Sequence, residues 1–183
     1  MDHYIDVTFK PDAEMRENVL LNKIYTKLHK AFFDLEANSI GVSFPQYNIK
    51  LGDVLRIHGS QVDLERLQGT NWIGGLSGYC NVSPIKPVPA NVCYRRISRK
   101  QSNMSLSKLR RLIKRGSISP EQVKTYKAKM YSQGLSNPYL ELESASSGHK
   151  HRRFIEFSES FESPVEGVFD HFGLSKIATI PWF

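Results

Sequence analysis

The chain has 183 residues, 40% of them hydrophobic and 23% charged, a globular composition with room for one large or two small domains. No apolar run approaches the length of a bilayer span, and the N-terminus opens on a strand pattern rather than a secretory leader, which argues against an integral membrane or exported protein. The formal net charge of +7 is lopsided: residues 1–91 carry nine basic and ten acidic side chains, and residues 92–183 carry sixteen and eight. An anionic partner of the second half follows, either nucleic acid or a membrane surface. Cys80 and Cys93 lack metal-ligand or redox spacing, which predicts two free thiols in a reducing cytoplasm.

In chain order, residues 3–9 alternate, with Ile5, Val7 and Phe9 on one face and Tyr4, Asp6 and Thr8 on the other, predicting a half-buried strand ended by Pro11 and Asp12. Leu21, Ile24, Tyr25, Leu28, Phe32 and Leu35 recur at helical spacing and predict an amphipathic helix over residues 14–36. Two short strands follow at 40–44 and 54–58, around a loop holding Pro45, Asn48 and Gly52. Residues 62–67 read as a short helix, with 72–76 as a candidate extension past Gly69. Residues 79–83 read as a fourth strand, and Pro84, Pro87 and Pro89 as a stiff connector. This order predicts an α+β protein with a ferredoxin-like βαββαβ domain over 1–91 and a basic α+β domain over 92–183. That fold serves many RNA-binding proteins and many that bind no RNA, so it leaves function open.

The stretch from Tyr94 to Arg115 dominates the second half. From Arg95 onward it holds nine Lys or Arg and no acid. A helical period puts Leu109, Leu112 and Ile113 on one face and Lys108, Arg111 and Arg115 on another, with Arg110 and Lys114 widening the basic side. Ser105 and Ser107 are candidate N-caps, and Gly116 is a candidate stop. Solvated helix faces normally interleave both signs; a face of one sign repels itself until a polyanion neutralises it, which points to nucleic acid. Ser119-Pro120-Glu121 opens another helix to about residue 131, with Pro in its first turn. Residues 139–144 and 152–157 read as strands flanking Ser144-Ala145-Ser146-Ser147-Gly148, and 165–169 and 177–182 are further strand candidates.

Few residues offer chemistry. His29 falls at the margin of the first helix's apolar stripe, where a histidine is usually structural. RNA changes that weighting, because its ribose 2′-hydroxyl is a nucleophile already beside the scissile phosphate. Cleavage then needs a general base, an acid for the leaving 5′-oxygen and donors for the phosphate charge, and imidazole titrates close enough to neutrality to serve; this chemistry requires no metal and no cofactor. The small-residue loop 144–148 lets backbone amides approach a phosphate closely, although a serine-rich turn is more often only a turn. His149, Lys150 and His151 follow and suit holding or stacking on nucleic acid. As a metal pair the two histidines lack a third ligand. Gly173-Leu174-Ser175-Lys176 is a glycine-led turn carrying a cation, suited to a phosphate contact and far from a P-loop.

Taken together these residues resemble the CRISPR-associated endoribonuclease of the type I-F system, which cuts CRISPR precursor transcripts into guide RNAs. The resemblance runs nearly end to end, through Met-Asp-His-Tyr at the start, Lys-Leu-His at 27–29, Ile-Gly-Val-Ser-Phe-Pro at 40–45, Leu-Arg-Ile-His at 55–58, Ser-Arg-Lys-Gln at 98–101, Gly-Leu-Ser-Lys at 173–176 and the terminal Pro-Trp-Phe. It implies a ferredoxin-like N-terminal domain and a second domain whose arginine-rich helix enters the major groove of a short repeat-derived hairpin. That groove is deep in A-form RNA, but a short stem open at its end can admit a helix. Arg111 and Arg115 match the groove-contacting arginines once one residue is deleted before them here. Arg99 and Gln101 match residues that read base edges, where arginine suits guanine and glutamine suits adenine. His29 matches the catalytic histidine, Ser144 the serine that positions the 2′-hydroxyl, and Ser146 and Ser147 its polar neighbours. The implied reaction cleaves at the 3′ base of the stem-loop without metal, leaving a 2′,3′-cyclic phosphate and a 5′-hydroxyl. The implied enzyme is cytoplasmic, monomeric when free and not membrane-bound; it keeps its product hairpin among the other subunits of the surveillance complex.

Two positions depart from the family pattern. Phe172 stands where a tyrosine can occur, removing its hydroxyl, and His151 stands where a phenylalanine can stack on the terminal base pair. A non-catalytic hairpin-binding subunit is the alternative reading, and a DNA-binding or membrane-surface module is a third.

Overall fold

Alternation along β1 (His3–Phe9) buries Ile5, Val7 and Phe9 and leaves Tyr4, Asp6 and Thr8 half-buried, as the period-two pattern dictates. The computed structural model describes residues 1–101, 104–132, 136–143 and 148–183. The protein is α+β. β1 pairs antiparallel with β3 (Val54–Gly59), β3 with β2 (Gly41–Ser43), and β1 on its other side with β4 (Cys80–Val82), giving the order β2-β3-β1-β4. α1 (Glu17–Asp34) and α2 (Gln61–Gly69) connect these strands. Along α1 the buried residues are Leu20, Leu21, Ile24, Tyr25, Leu28, Ala31 and Phe32, with Leu35 partly buried beyond the helix end, so the spacing gave the stripe. Each large side chain so buried contributes about 2 kcal/mol.

Ends and connectors differ from the sequence reading. α1 starts at Glu17 rather than 14, because the Asp12 carboxylate accepts from the amides of Glu14 and Met15 and folds them into a separate turn. It ends at Asp34, and Glu36 is left-handed at φ 51°. Residues 72–76 do not extend α2: Asn71 has φ 49°, which breaks the helix, and a 3₁₀ turn follows at Gly74–Tyr79. The proline connector contains a two-residue strand, β5 (Lys86–Pro87), paired with His3 and Tyr4 of β1. Proline is tolerated there because the strand is an edge.

In the second half β7 (Ile97–Lys100), β9 (Lys150–Phe157) and β8 (Tyr139–Glu143) form an antiparallel sheet with β9 central, and β6 (Cys93–Arg95) pairs with β10 (Ile180–Trp182). Residues 165–169 form no strand. Val165 and Phe169 each make one isolated backbone bond, to Thr179 and Asn38, without a neighbouring ladder to continue them. One hydrophobic cluster runs through both halves, joining Ile5, Val7 and Leu28 to Leu140, Leu142, Ile155, Leu174 and Ile180. Tyr47 stacks on Phe157 at 3.6 Å across that junction, and its hydroxyl accepts from Arg95. The last residue also closes the sheet's other face, since Arg56 chelates Asp6, donates to the Phe183 carbonyl and lies over the Tyr4 and Phe183 rings. Both cysteines are free.

His58 on β3 is fully buried, 2.8 Å from the Ser43 hydroxyl, with no partner for Nδ1 among the described residues. Burial first, and the nearby Arg56 cation second, push its pKa down to about 3. The folded protein therefore holds His58 neutral while the unfolded chain takes up a proton below its ordinary value of about 6.5. Stability from this group is complete above that value and falls as pH drops from about 6.5 toward about 3. The expected loss is about 2 kcal/mol by about pH 5. Urea midpoints across that range check it; a profile unchanged by His58→Gln, relative to wild type, contradicts it.

Candidate active site

His29 occupies the fourth turn of α1, half-buried at the edge of the stripe that anchors the helix. Its Nδ1 lies 2.7 Å from the backbone carbonyl oxygen of His171. A carbonyl only accepts, so Nδ1–H donates and the neutral ring presents its lone pair at Nε2. The ring also stacks face to face on Phe172, at 3.7 Å between centroids and 11° between planes.

The turn carrying these two residues is tightly built. The Asp170 carboxylate accepts from the amides of Phe172 and Leu174, the Tyr25 hydroxyl donates to the Phe172 carbonyl at 2.5 Å, and the Val42 amide donates to the Gly173 carbonyl. Burial, and then the negative charge of Asp170, raises the Tyr25 pKa, so that hydroxyl stays a donor. Gly173 has φ 67°, and a Cβ there would meet Val42 Cγ1 at 2.8 Å. Only glycine fits this turn without strain.

Behind Phe172 lies Arg153 of β9. Its guanidinium carbon is 3.5 Å from the Phe172 centroid. Two groups cannot both lie that close over one face, so the phenyl ring is held between imidazole and guanidinium. The Arg153 side chain is on the inward face of β9 with Ile155, is 7% exposed, and leaves Nε without a partner among the described residues. Burial, and then the neighbouring Arg99 charge, pulls its pKa below the usual guanidinium range.

Two cavities meet at this arginine. One, of about 700 Å³, is lined by His29, Lys27, Lys30, Phe33, His151, Phe172 and Arg153 among others. The other, of about 430 Å³, is lined by Arg99, Gln101, Lys176, Asp170 and Arg153 among others. Six sequence-selected positions thus gather here: His29, His151 and Phe172 in the first cavity, Arg99, Gln101 and Lys176 in the second, with Asp170 and Arg153 added by the structure. Lys176 and Gln101 are exposed, and Arg99 is half-buried on β7 opposite Ile155. Ser144, Ser146 and Ser147 lie outside the described residues.

The basic helix forms as α3 (Leu106–Lys114). Ser105 is the cap, its hydroxyl accepting from the Lys108 amide, and Ser107 lies inside the helix. Gly116, at φ 65°, ends it with Gly116 and Ser117 amides donating to the Ile113 and Leu112 carbonyls. Lys108, Arg110, Arg111, Lys114 and Arg115 are all exposed, and none lines either cavity. The expected apolar face is narrower than its spacing implied: Leu109 is buried, Leu112 half-buried and Ile113 exposed, because a nine-residue surface helix touches its neighbours along one ridge only. α4 (Pro120–Ser132) meets it through the Tyr126 hydroxyl, which accepts from the Ser105 amide. Three cations of the basic run are structural. Arg95 lies over Trp182, Arg96 donates to the Ile177 carbonyl, and Lys100 pairs with Glu156.

Among the described residues no three His, Cys, Asp or Glu are grouped to hold a metal ion, and no helix is long and apolar enough to cross a membrane.

Residues 4–183 match the family described as CRISPR-associated protein (Cas_Csy4). The chain belongs to that family. It is 38% identical over 184 residues to the CRISPR-associated endonuclease Cas6/Csy4 of Escherichia coli (strain UTI89 / UPEC), covering 100% of both chains. It is 35% identical over 187 residues to the protein of the same name from Pseudomonas aeruginosa (strain UCBPP-PA14), again covering 100% of both. Within this Cas_Csy4 chain, sequence reasoning missed Arg153 and the roles of Tyr25 and the His171 carbonyl. The one available signal was strand alternation, which puts Arg153 on the same face as Ile155 and so marks a cation pointing inward.

Proposed function

We propose that the protein is a CRISPR precursor RNA endoribonuclease of the type I-F system, acting by 2′-hydroxyl attack. What supports the reading most is an imidazole fixed in one tautomer by the His171 carbonyl, at the mouth of a cavity that shares Arg153 with the one lined by Arg99, Gln101 and Lys176. The endonuclease names of its full-length relatives supply the reaction class. His29 Nε2 exchanges a proton with the reacting oxygens. The 2′-oxygen bonds to the adjacent phosphorus, the bond from phosphorus to the 5′-oxygen breaks, and a 2′,3′-cyclic phosphate and a 5′-hydroxyl remain. Ser144 orients the 2′-hydroxyl, with Ser146 and Ser147 beside it. Arg99 and Gln101 read base edges, α3 neutralises stem phosphates through Lys108, Arg110, Arg111, Lys114 and Arg115, and His151 stacks on the end of the stem. The Phe172 ring braces the imidazole and brings no hydroxyl to the reaction.

In the same reading the first domain, 1–91, is ferredoxin-like, and the basic domain, 92–183, holds the hairpin. The enzyme needs no metal. It works in the cytoplasm as a monomer and stays on its product among the subunits of a guide RNA complex. Gel analysis of a labelled repeat RNA in EDTA tests this. One cut at the 3′ base of the stem, leaving a cyclic phosphate and a 5′-hydroxyl, is expected. Cleavage that appears only when Mg²⁺ is restored, or ends bearing 5′-phosphate, overturns it. Tight binding without any cut assigns the protein instead to a non-catalytic hairpin-binding subunit.

A further inference from the structure

Arg153 poses a physical problem that the proposed reaction does not use. A buried charge is normally paired, because leaving it unpaired costs more than the burial of its stem returns. Here the residue is 7% exposed, yet its Nε is buried with no hydrogen-bond partner among the described residues. Its guanidinium carbon lies 3.5 Å from the Phe172 ring centroid, a cation–π contact that uses the plane of the guanidinium and leaves its in-plane N–H donors to point elsewhere. A second cation, Arg99, is near enough to oppose its charge, while Asp170 has already committed one carboxylate oxygen to the Phe172 and Leu174 amides. Both cavities open onto Arg153. Two arginines lining one open cleft, one of them also lining the cleft that holds His29, form a site for an anion with several acceptor oxygens.

We infer that the Arg153 guanidinium binds the phosphate at which the RNA is cut, donating to its non-bridging oxygens from the opposite side of Phe172 to His29. This rests on the endoribonuclease reading, and it adds a specific role for a residue that the reading leaves idle. The guanidinium fork matches phosphate geometry and carries its charge at every working pH. Phe172 then does two things at once, orienting the imidazole on one face and the guanidinium on the other. A phosphate seated on Arg153 is thereby set against the imidazole at a spacing fixed by the thickness of one ring.

The test is a coupling measurement on binding, so that it does not depend on turnover. Two hairpin RNAs are made with a 2′-deoxy sugar at the nucleotide before the cut, one with the natural phosphodiester there and one with an uncharged methylphosphonate. Their dissociation constants are measured at one fixed salt concentration for wild type, Arg153→Lys and Arg153→Met. Wild type is expected to bind the methylphosphonate RNA at least about 10-fold more weakly, the worth of a charge-assisted hydrogen bond. Arg153→Met is expected to bind both RNAs alike, and Arg153→Lys to keep part of the difference. Thermal melts of each variant establish that it is folded, and Arg153→Lys carries the comparison if Arg153→Met is not. Equal discrimination by wild type and Arg153→Met overturns the assignment and leaves Arg153 as packing for Phe172. Cleavage of the all-ribose RNA by wild type is scored separately, so a protein that never cuts refutes the reaction while the binding contrast still decides the phosphate contact.

Discussion

Replacing His29 by alanine is expected to lower the single-turnover cleavage rate by about 1,000-fold or more, while hairpin affinity stays nearly as it was. The expected split follows from the contacts. The imidazole stacks on Phe172 and bonds the His171 carbonyl, but the turn that carries those residues is held independently by Asp170, Tyr25 and the Val42 amide. Losing the ring is expected to remove proton transfer without releasing the turn. The basic residues of α3 are far along the chain and unaffected. A cavity the size of an imidazole remains, so free imidazole in the buffer is expected to restore part of the rate in His29→Ala and none in wild type. An RNA with a 2′-deoxy sugar before the cut is expected to stay whole with either protein, because its nucleophile is missing. Full cleavage of that RNA would falsify attack by the 2′-oxygen, and a His29→Ala variant that cuts at the wild-type rate removes the imidazole from the mechanism.

Gly173→Ala is expected to destabilise the protein by about 3 kcal/mol or more. Two costs add there: a left-handed φ of 67° for a residue with a side chain, and a methyl group driven to 2.8 Å from Val42 Cγ1 and 3.0 Å from Phe32 Cε2. Both neighbours are buried core residues with nowhere to retreat. In a chain of this length the loss lowers Tm by roughly 10 °C. Gly116 provides the control, since it has nearly the same φ, 65°, but nothing within 4 Å of the added methyl. Gly116→Ala is expected to cost only about 1 kcal/mol. Differential scanning calorimetry of the two variants separates the crowding from the dihedral strain. Equal losses would show that the Gly173 turn can relax, and then the His171 carbonyl is less firmly placed than its contacts suggest.

The first half of the chain was readable because its elements obey one period each. Ile5, Val7 and Phe9 alternate, and Leu21 to Phe32 repeat at helical spacing, so burial on one side determines both. Three of the short strands were not readable. β5, β6 and β7 hold two to four residues, too few for any period, and β7 is mostly polar and charged. They exist because β1, β10 and β9 offer edges for them to pair with, which is tertiary information. The basic stretch misled in another way. Charge counts alone do not distinguish Arg95, set over Trp182, from Arg110, set in solvent. The histidine was proposed from its chemistry and from resemblance, whereas its acceptor is a main-chain oxygen 142 residues further on, which no side-chain pattern announces.

That separation bears on when the protein becomes competent during its synthesis. α1 and its histidine leave the ribosome early, yet the carbonyl that selects the ring's tautomer belongs to residue 171, in a turn held by Asp170, Tyr25 and the Val42 amide. A nascent chain carrying only the first sheet would have an imidazole free to rotate and to protonate at either nitrogen. The contact between the imidazole and its carbonyl therefore arrives late, once residues 170–174 are made, and not by degrees as the polypeptide lengthens.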